Sequence, residues 1–268
     1  MNFNSNIVLK KSRKWSVDLA RPLISGSPPR VLINSIPKSG THLLLQYMTS
    51  LGFSDYGGFL ASTPSFTMRR QSDEKIIKKL SGVLRREVCS SHIFHSSAVE
   101  EFLSLSQLPM VFVYRDPRAI FLSEINYLST MNRWHRCHKF YKSAESFEEK
   151  FRLCLDGIEH ESILYPRFKE RISPYLGWLN SKYTFTIKFE DMIASPGNSY
   201  ENIAEYLRTY PGMDDITRSK LKIDSRRSHT YTGLAADRWK NELTDFQLAL
   251  LNDEVSDFLK IMGYQDAL

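Results

Sequence analysis

Three times along the chain a short apolar run stops at a polar turn and apolar residues then resume at helical spacing. In RVLINSI (Arg30 to Ile36) the residues suit a buried strand, and Thr41 to Leu51 carries apolar positions at helical intervals before Gly52 ends the pattern. PMVFVYRDPRAIFLSEINYL repeats this grammar: a strand at Met110 to Tyr114, Asp116 as a helix cap, and Pro117 at the first helical position. YTFTIKFEDMIASPGNSYENIAEYL gives it a third time. Two helical stretches, Glu145 to Gly157 and Ile163 to Asn180, lie between the units, and an amphipathic helix is expected over Asp245 to Met262. The pattern predicts a single α/β domain with a central, mostly parallel sheet flanked by helices, where ligands sit beyond the carboxyl ends of the strands. That domain is expected at 30–268, behind a basic arm at 1–29 that ends in the turn-rich SGSPP. Residues 59–88 and 129–146 read as long polar, basic loops of the kind that form lids or substrate loops.

Composition narrows the class. The chain has 268 residues, 42% hydrophobic and 25% charged, enough for an ordinary core. Its longest apolar runs fall far short of the ~20 residues a membrane helix needs, and MNFNSNIVLKKSRKW lacks the apolar core of a secretory signal, so a cytoplasmic protein is expected. Cys89, Cys137 and Cys154 show no metal or redox spacing and read as free thiols. The net charge of +6 fits nucleic acid, a membrane surface or a small polyanion. Because the basic residues are spread along the chain, nucleic acid is not expected. The clusters at Lys10 to Lys14, Arg69 to Arg70 and Lys78 to Arg86 read as solvated faces.

Chemistry concentrates at the first turn, PKSGTHLLL. A loop feeding a helix N-terminus presents unpartnered N–H groups and the positive end of the helix dipole. Gly40 lets the backbone approach a phosphate, Lys38 adds a point charge and Thr41 a hydroxyl donor. The GxxxxGK[ST] loop is absent, since the lysine comes first with only Ser39 before the glycine, which argues against an ordinary NTPase. In the second unit, Arg115 at the strand end and Ser123 in the following helix can converge on another phosphate.

With these motifs in place the chain resembles the sulfotransferases that use 3′-phosphoadenosine 5′-phosphosulfate. In that family PKSGTTW is the P-loop-like element for the 5′-phosphosulfate and RxxxxxxxS holds the 3′-phosphate; here they read PKSGTHL and RDPRAIFLS. FEDMIASP is similar to the family's YED segment, and GLAADRWKNELT to its GxWKxxFT ending, in the family's order over about residues 30 to 262. The resemblance implies donor contacts from Lys38, Ser39, Gly40, Thr41, His42, Arg115, Ser123, Phe189, Arg226, Arg227 and Gly233. It also departs: Leu43 stands where many members have an adenine-stacking tryptophan, and Phe189 where they have tyrosine. The dimer segment KxxxTVxxxE survives only as Lys240 and Thr244. The implied reaction moves a sulfuryl group to a hydroxyl or amine of a small-molecule, lipid or sugar acceptor, leaving adenosine 3′,5′-bisphosphate, and calls for no metal.

Sulfuryl transfer needs a base for the acceptor and a cation on the leaving oxygen. Lys38 takes the second role by resemblance. His92, in VCSSHIFHS, matches the catalytic histidine of KTHLP and is the expected base; His95, Glu124 and Glu190 are reserves, and Ser90 is a possible assistant. Trp134, His135, Arg136 and His138 suggest an acceptor wall or an exposed lid. Two other classes share such a loop, a kinase or nucleotide hydrolase and a non-catalytic nucleotide-binding module; stabilisation by adenosine 3′,5′-bisphosphate against ATP with magnesium separates them.

Overall fold

Val31 and Ile33 of the first strand enter one apolar cluster and Leu32 the other, the period of two that a strand buried on both faces requires. The computed structural model describes residues 28–161, 163–214, 216 and 237–265. Nearly all of the expected arm, together with Arg226, Arg227 and Gly233, lies outside the described residues. The strands are β1 (Val31–Ser35), β2 (Ser54–Ala61), β3 (Glu87–His92), β4 (Met110–Tyr114), β5 (Ile158–His160), β6 (Ile163–Tyr165) and β7 (Thr184–Lys188). Five of them form one parallel sheet in the order β2-β3-β1-β4-β7, and β5 and β6 pair as a separate antiparallel ribbon. Strand order reverses about β1, so the loop leaving it opens into the crevice where such sheets bind ligands.

Helices cover both faces. On one side Leu44, Tyr47 and Met48 of α1 (Thr41–Ser50) pack beneath Val31, Ile33, Val111 and Val113, joined by Ile203 and Leu207 of a later helix. On the other, α2 (Asp73–Ser81), α3 (Ser97–Leu105) and α4 (Pro117–Asn126) cover Leu32, Cys89, Met110 and Phe112. Each buried aliphatic side chain contributes about 1.5–3 kcal/mol, so the sheet's position is set by dozens of such contacts rather than by any one. The side chains of Ser72, Ser96 and Asp116 cap α2, α3 and α4 through backbone N–H groups. A π-helical turn, Tyr127–Met131, continues α4. It is followed by α5 (His138–Ser143) and α6 (Phe147–Asp156).

The expected helix over Ile163 to Asn180 is corrected. Its first residues form β6, pinned to β5, and the helical part is split into α7 (Phe168–Ile172) and a 3-10 segment, Ser173–Asn180. Pro166 and Pro174 account for this, because proline lacks the N–H that an α-helix needs. Upstream, Gly157 at φ 84° ends α6, and any Cβ there would strike the backbone of Tyr165 and Pro166. Past β7 come α8 (Phe189–Ala194), α9 (Pro196–Arg208), α10 (Trp239–Glu242) and α11 (Asp245–Ile261), the last with a capping box between Thr244 and Gln247.

Candidate active site

The loop from β1 to α1 is held open by its backbone. Lys38, a non-glycine residue, sits at φ 71° and Gly40 at φ 102°, both in the left-handed region that costs most residues about a kcal/mol or more. A Cβ on Gly40 would run into the Phe189 ring. α1 then begins with no side-chain cap and no acidic residue in its first turn, so the positive end of its dipole is uncompensated.

Around this loop lies a cavity of 1360 Å³ lined by Lys38, Gly40, Thr41, His42, Leu43, His92, Arg115, Ser123 and Phe189, among others. Every resemblance-derived donor residue within the described range therefore reaches one cavity, apart from Ser39, whose hydroxyl is buried in the loop without a partner. Arg115 is freed for a ligand by its neighbours. Asp116 is taken by Arg118, with contacts of 2.7 to 3.2 Å, while the Arg115 guanidinium stacks 4.5 Å over the Phe189 ring and its buried Nε has no hydrogen-bond partner. Burial lowers the Arg115 pKa, opposed chiefly by Glu190. A half-buried guanidinium with an unmet donor beside an uncapped helix start fits an anionic, phosphate-rich ligand.

His92 ends β3, and β3 runs parallel beside β1, with Asn34 opposite Ser91. The Asn34 side chain ties the two strand ends together, accepting from Ile93 N (2.8 Å) and Ser91 Oγ (3.0 Å) while donating to Ile93 O (2.9 Å). His92 Nδ1 lies 2.9 Å from the Ser35 carbonyl and 3.0 Å from Ser35 Oγ. Since a carbonyl can only accept, Nδ1 carries the proton, and Nε2 keeps its lone pair. Burial pulls the His92 pKa down to about 4; the Ser35 bond opposes this, and Lys38 and His42 add to it. Ser35 also shares a 2.6 Å hydrogen bond with Thr41, linking the histidine to the first helical residue of the anion loop.

Lys38 Nζ sits 3.9 Å over the Tyr127 ring in the π-helical turn. Burial lowers its pKa to about 8, with Glu124 opposing and Arg115 adding to the fall. Glu124 lines the cavity too, but one of its oxygens accepts from Arg171 (2.5 Å) and Tyr165 (2.9 Å) in a nearly buried pair. Glu190 accepts from Tyr264 (2.6 Å) and from the Asp116 N–H (3.2 Å). His95 packs edge-on against Trp178 and faces Glu100 at 3.4 Å, away from the cavity lining. Of the aromatic and basic cluster, His135 is buried on the cavity wall while Trp134 is exposed.

Ser35, Tyr127 and Asn34 were not singled out in the sequence. A small polar residue ending an otherwise apolar strand, as in INS, is the local sign that could have found Ser35; nothing local marks Tyr127.

An α/β sheet whose switch-point loop pairs a left-handed lysine with an uncapped helix start is suited to an anion. A sequence profile of the sulfotransferase domain matches residues 28–253, and the chain belongs to the sulfotransferase family. Among solved structures, a mouse sulfotransferase, SULT7A1, complexed with PAP is 18% identical, with a TM-score of 0.55, covering 90% of this chain and 88% of that one. Retinol dehydratase in complex with androsterone and inactive cofactor PAP is 12% identical, with a TM-score of 0.56, over 92% of this chain and 86% of that one. These likenesses establish the fold. A search of curated protein sequences found no match.

Proposed function

We propose that the chain transfers a sulfuryl group from 3′-phosphoadenosine 5′-phosphosulfate to a hydroxyl or amine acceptor by in-line displacement, with His92 as the general base. Its catalytic body is the domain at 30–268. The reading is carried by one arrangement: His92, with Nδ1–H fixed on the Ser35 carbonyl, stands at the end of the strand beside the Lys38 loop. Arg115 and Ser123 would hold the 3′-phosphate, and the 38–41 loop with the α1 N-terminus the 5′-phosphosulfate. When bound, the donor supplies an activated sulfuryl group on a phosphate leaving group. His92 Nε2 accepts the acceptor's proton, and the Ser35 carbonyl stabilises the imidazolium that results. The Lys38 ammonium, steadied on Tyr127, offsets charge developing on the leaving oxygen. The PAP bound to the mouse and retinol dehydratase structures supports the donor's identity.

The test is thermal stabilisation by adenosine 3′,5′-bisphosphate beside ATP with magnesium and beside duplex DNA. A rise of several degrees with the bisphosphate alone is expected. Stabilisation only by magnesium ATP would place the chain with the phosphotransferases.

A further inference from the structure

Large apolar side chains crowd one lip of the cavity. Four of the eight that stand exposed among the described residues gather there: Trp134 at 83%, Phe66 at 73%, Leu164 at 71% and Phe59 at 49%. Phe59, Phe66 and Leu164 line the cavity itself, and Trp134 adjoins His135, which also lines it. The two main rim segments are tied together, Arg136 donating to the Thr67 carbonyl at 3.4 Å and Cys137 touching Met68 sulfur to sulfur at 4.0 Å. These segments also hold charge of one sign. Residues 56–72 and 125–144 contain Arg69, Arg70, Arg133, Arg136, Lys139 and Lys142 but no aspartate or glutamate, so they match the whole chain's net charge of +6. Leu164 has acidic neighbours instead: Glu159 lies opposite it across the β5–β6 ribbon, and Glu170 lines the cavity next to Arg171, which stacks on Tyr165.

Exposed apolar groups of this size around an opening mark an interaction surface. The basic residues of the two segments that carry Phe66 and Trp134 select a partner that is negatively charged and apolar beneath its charge. We propose that this rim docks on an anionic lipid bilayer, with Trp134, Phe66 and Leu164 at the headgroup–acyl boundary and the basic side chains among the headgroups. The cavity then opens onto the bilayer, and its acceptor is a hydroxyl carried by a lipid. That second clause rests on the sulfuryl-transfer reading, whereas the docking itself does not. No helix of the described residues is long and apolar enough to cross a membrane, and peripheral docking requires none. A nucleic acid or polysaccharide can stack on Trp134 and pair with the arginines, but it offers no apolar partner for the aliphatic Leu164.

The experiment is co-sedimentation of the full chain with vesicles of phosphatidylcholine alone and with one-third phosphatidylserine. Binding to the anionic vesicles should exceed binding to the neutral ones at least tenfold and weaken with salt, each basic residue near the surface contributing about fivefold. Two variants divide the interaction: Phe66→Ser with Trp134→Ser removes the apolar insertion, and Arg69→Gln with Arg133→Gln the charge. Each should lower vesicle binding about tenfold or more while leaving stabilisation by adenosine 3′,5′-bisphosphate unchanged, which checks folding and the donor reading separately. Absence of parental binding overturns the proposal. So does parental-level binding by both variants, which would locate the contact elsewhere, for instance at Lys10 to Lys14. Loss of binding in the arginine variant alone, with heparin competing fully, would mark a polyanion surface and also overturn it.

Discussion

His92 illustrates how a single hydrogen bond decides a role. The Ser35 carbonyl fixes the proton on Nδ1, and burial keeps the ring neutral down to about pH 4, so the base is competent at any physiological pH. Lys38, with a pKa lowered to about 8, must keep its proton to act. The free protein's kcat/KM for donor should therefore be level between about pH 4 and pH 8 and fall on the alkaline side as Lys38 deprotonates. Bound polyanion favours both protonated forms, so the limbs of kcat should lie at higher pH. His92→Ala should lower kcat by ~10² to 10⁴ with donor affinity nearly intact and abolish the acidic limb. A folded, donor-binding His92→Ala protein with parental turnover would move the search to Glu124 and Glu190. Lys38→Ala and Arg115→Ala should differ. The first should chiefly lower kcat; the second should weaken bisphosphate binding in calorimetry, because its guanidinium lines the cavity with a donor left unmet. Unchanged bisphosphate affinity in Arg115→Ala would remove the 3′-phosphate assignment.

At the scale of elements, what could be read in the sequence was what local chemistry encodes. The β1 loop, the Asp116 cap and Pro117 at the start of α4 are signalled by their own residues, and they stand where expected. Ser123 and Arg115 both line one cavity, separated by the Asp116 cap and six helical residues that bring Ser123 onto the second turn. By contrast, β2 has a glycine pair and mostly exposed positions, as an edge strand with a register shift at Asp55/Phe59 can, so no alternation announced it. Nor does the text around His92 say that it ends a strand; that follows from pairing with β1, fifty-odd residues upstream. The loop's own geometry gives a prediction at this scale. Gly40→Ala must place a Cβ at φ 102° against the Phe189 ring, and Phe189 in turn supports Arg115. The variant should lose about 1–2 kcal/mol of stability and bind bisphosphate at least tenfold more weakly, measured by urea unfolding and calorimetry. Parental affinity would mean the loop relaxes without disturbing the anion site.

The whole molecule joins the site to stability through buried groups that the site needs uncharged. His135 is buried on the cavity wall, its Nδ1 accepting from the Cys137 N–H at 3.1 Å, and burial lowers its pKa to about 4, with Glu124 opposing and Arg171 and His138 adding to the fall. His92 is held equally low. In the unfolded chain both titrate near ~6.5. Between these values the unfolded state binds more protons than the folded one, so stability is full above about pH 6.5 and is lost as pH falls towards 4. For His135 a shift of this size is worth up to ~3 kcal/mol; His92 contributes less, since one edge faces the open cavity. The free energy of unfolding in urea should accordingly drop by a few kcal/mol from pH 7 to pH 4.5. His135→Asn keeps an acceptor for the Cys137 N–H but has nothing to protonate. It should be somewhat less stable than the parent at pH 7 and lose roughly half as much on acidification, so that the two curves converge near pH 4.5. Parallel curves would show that His135 is not held neutral in the fold.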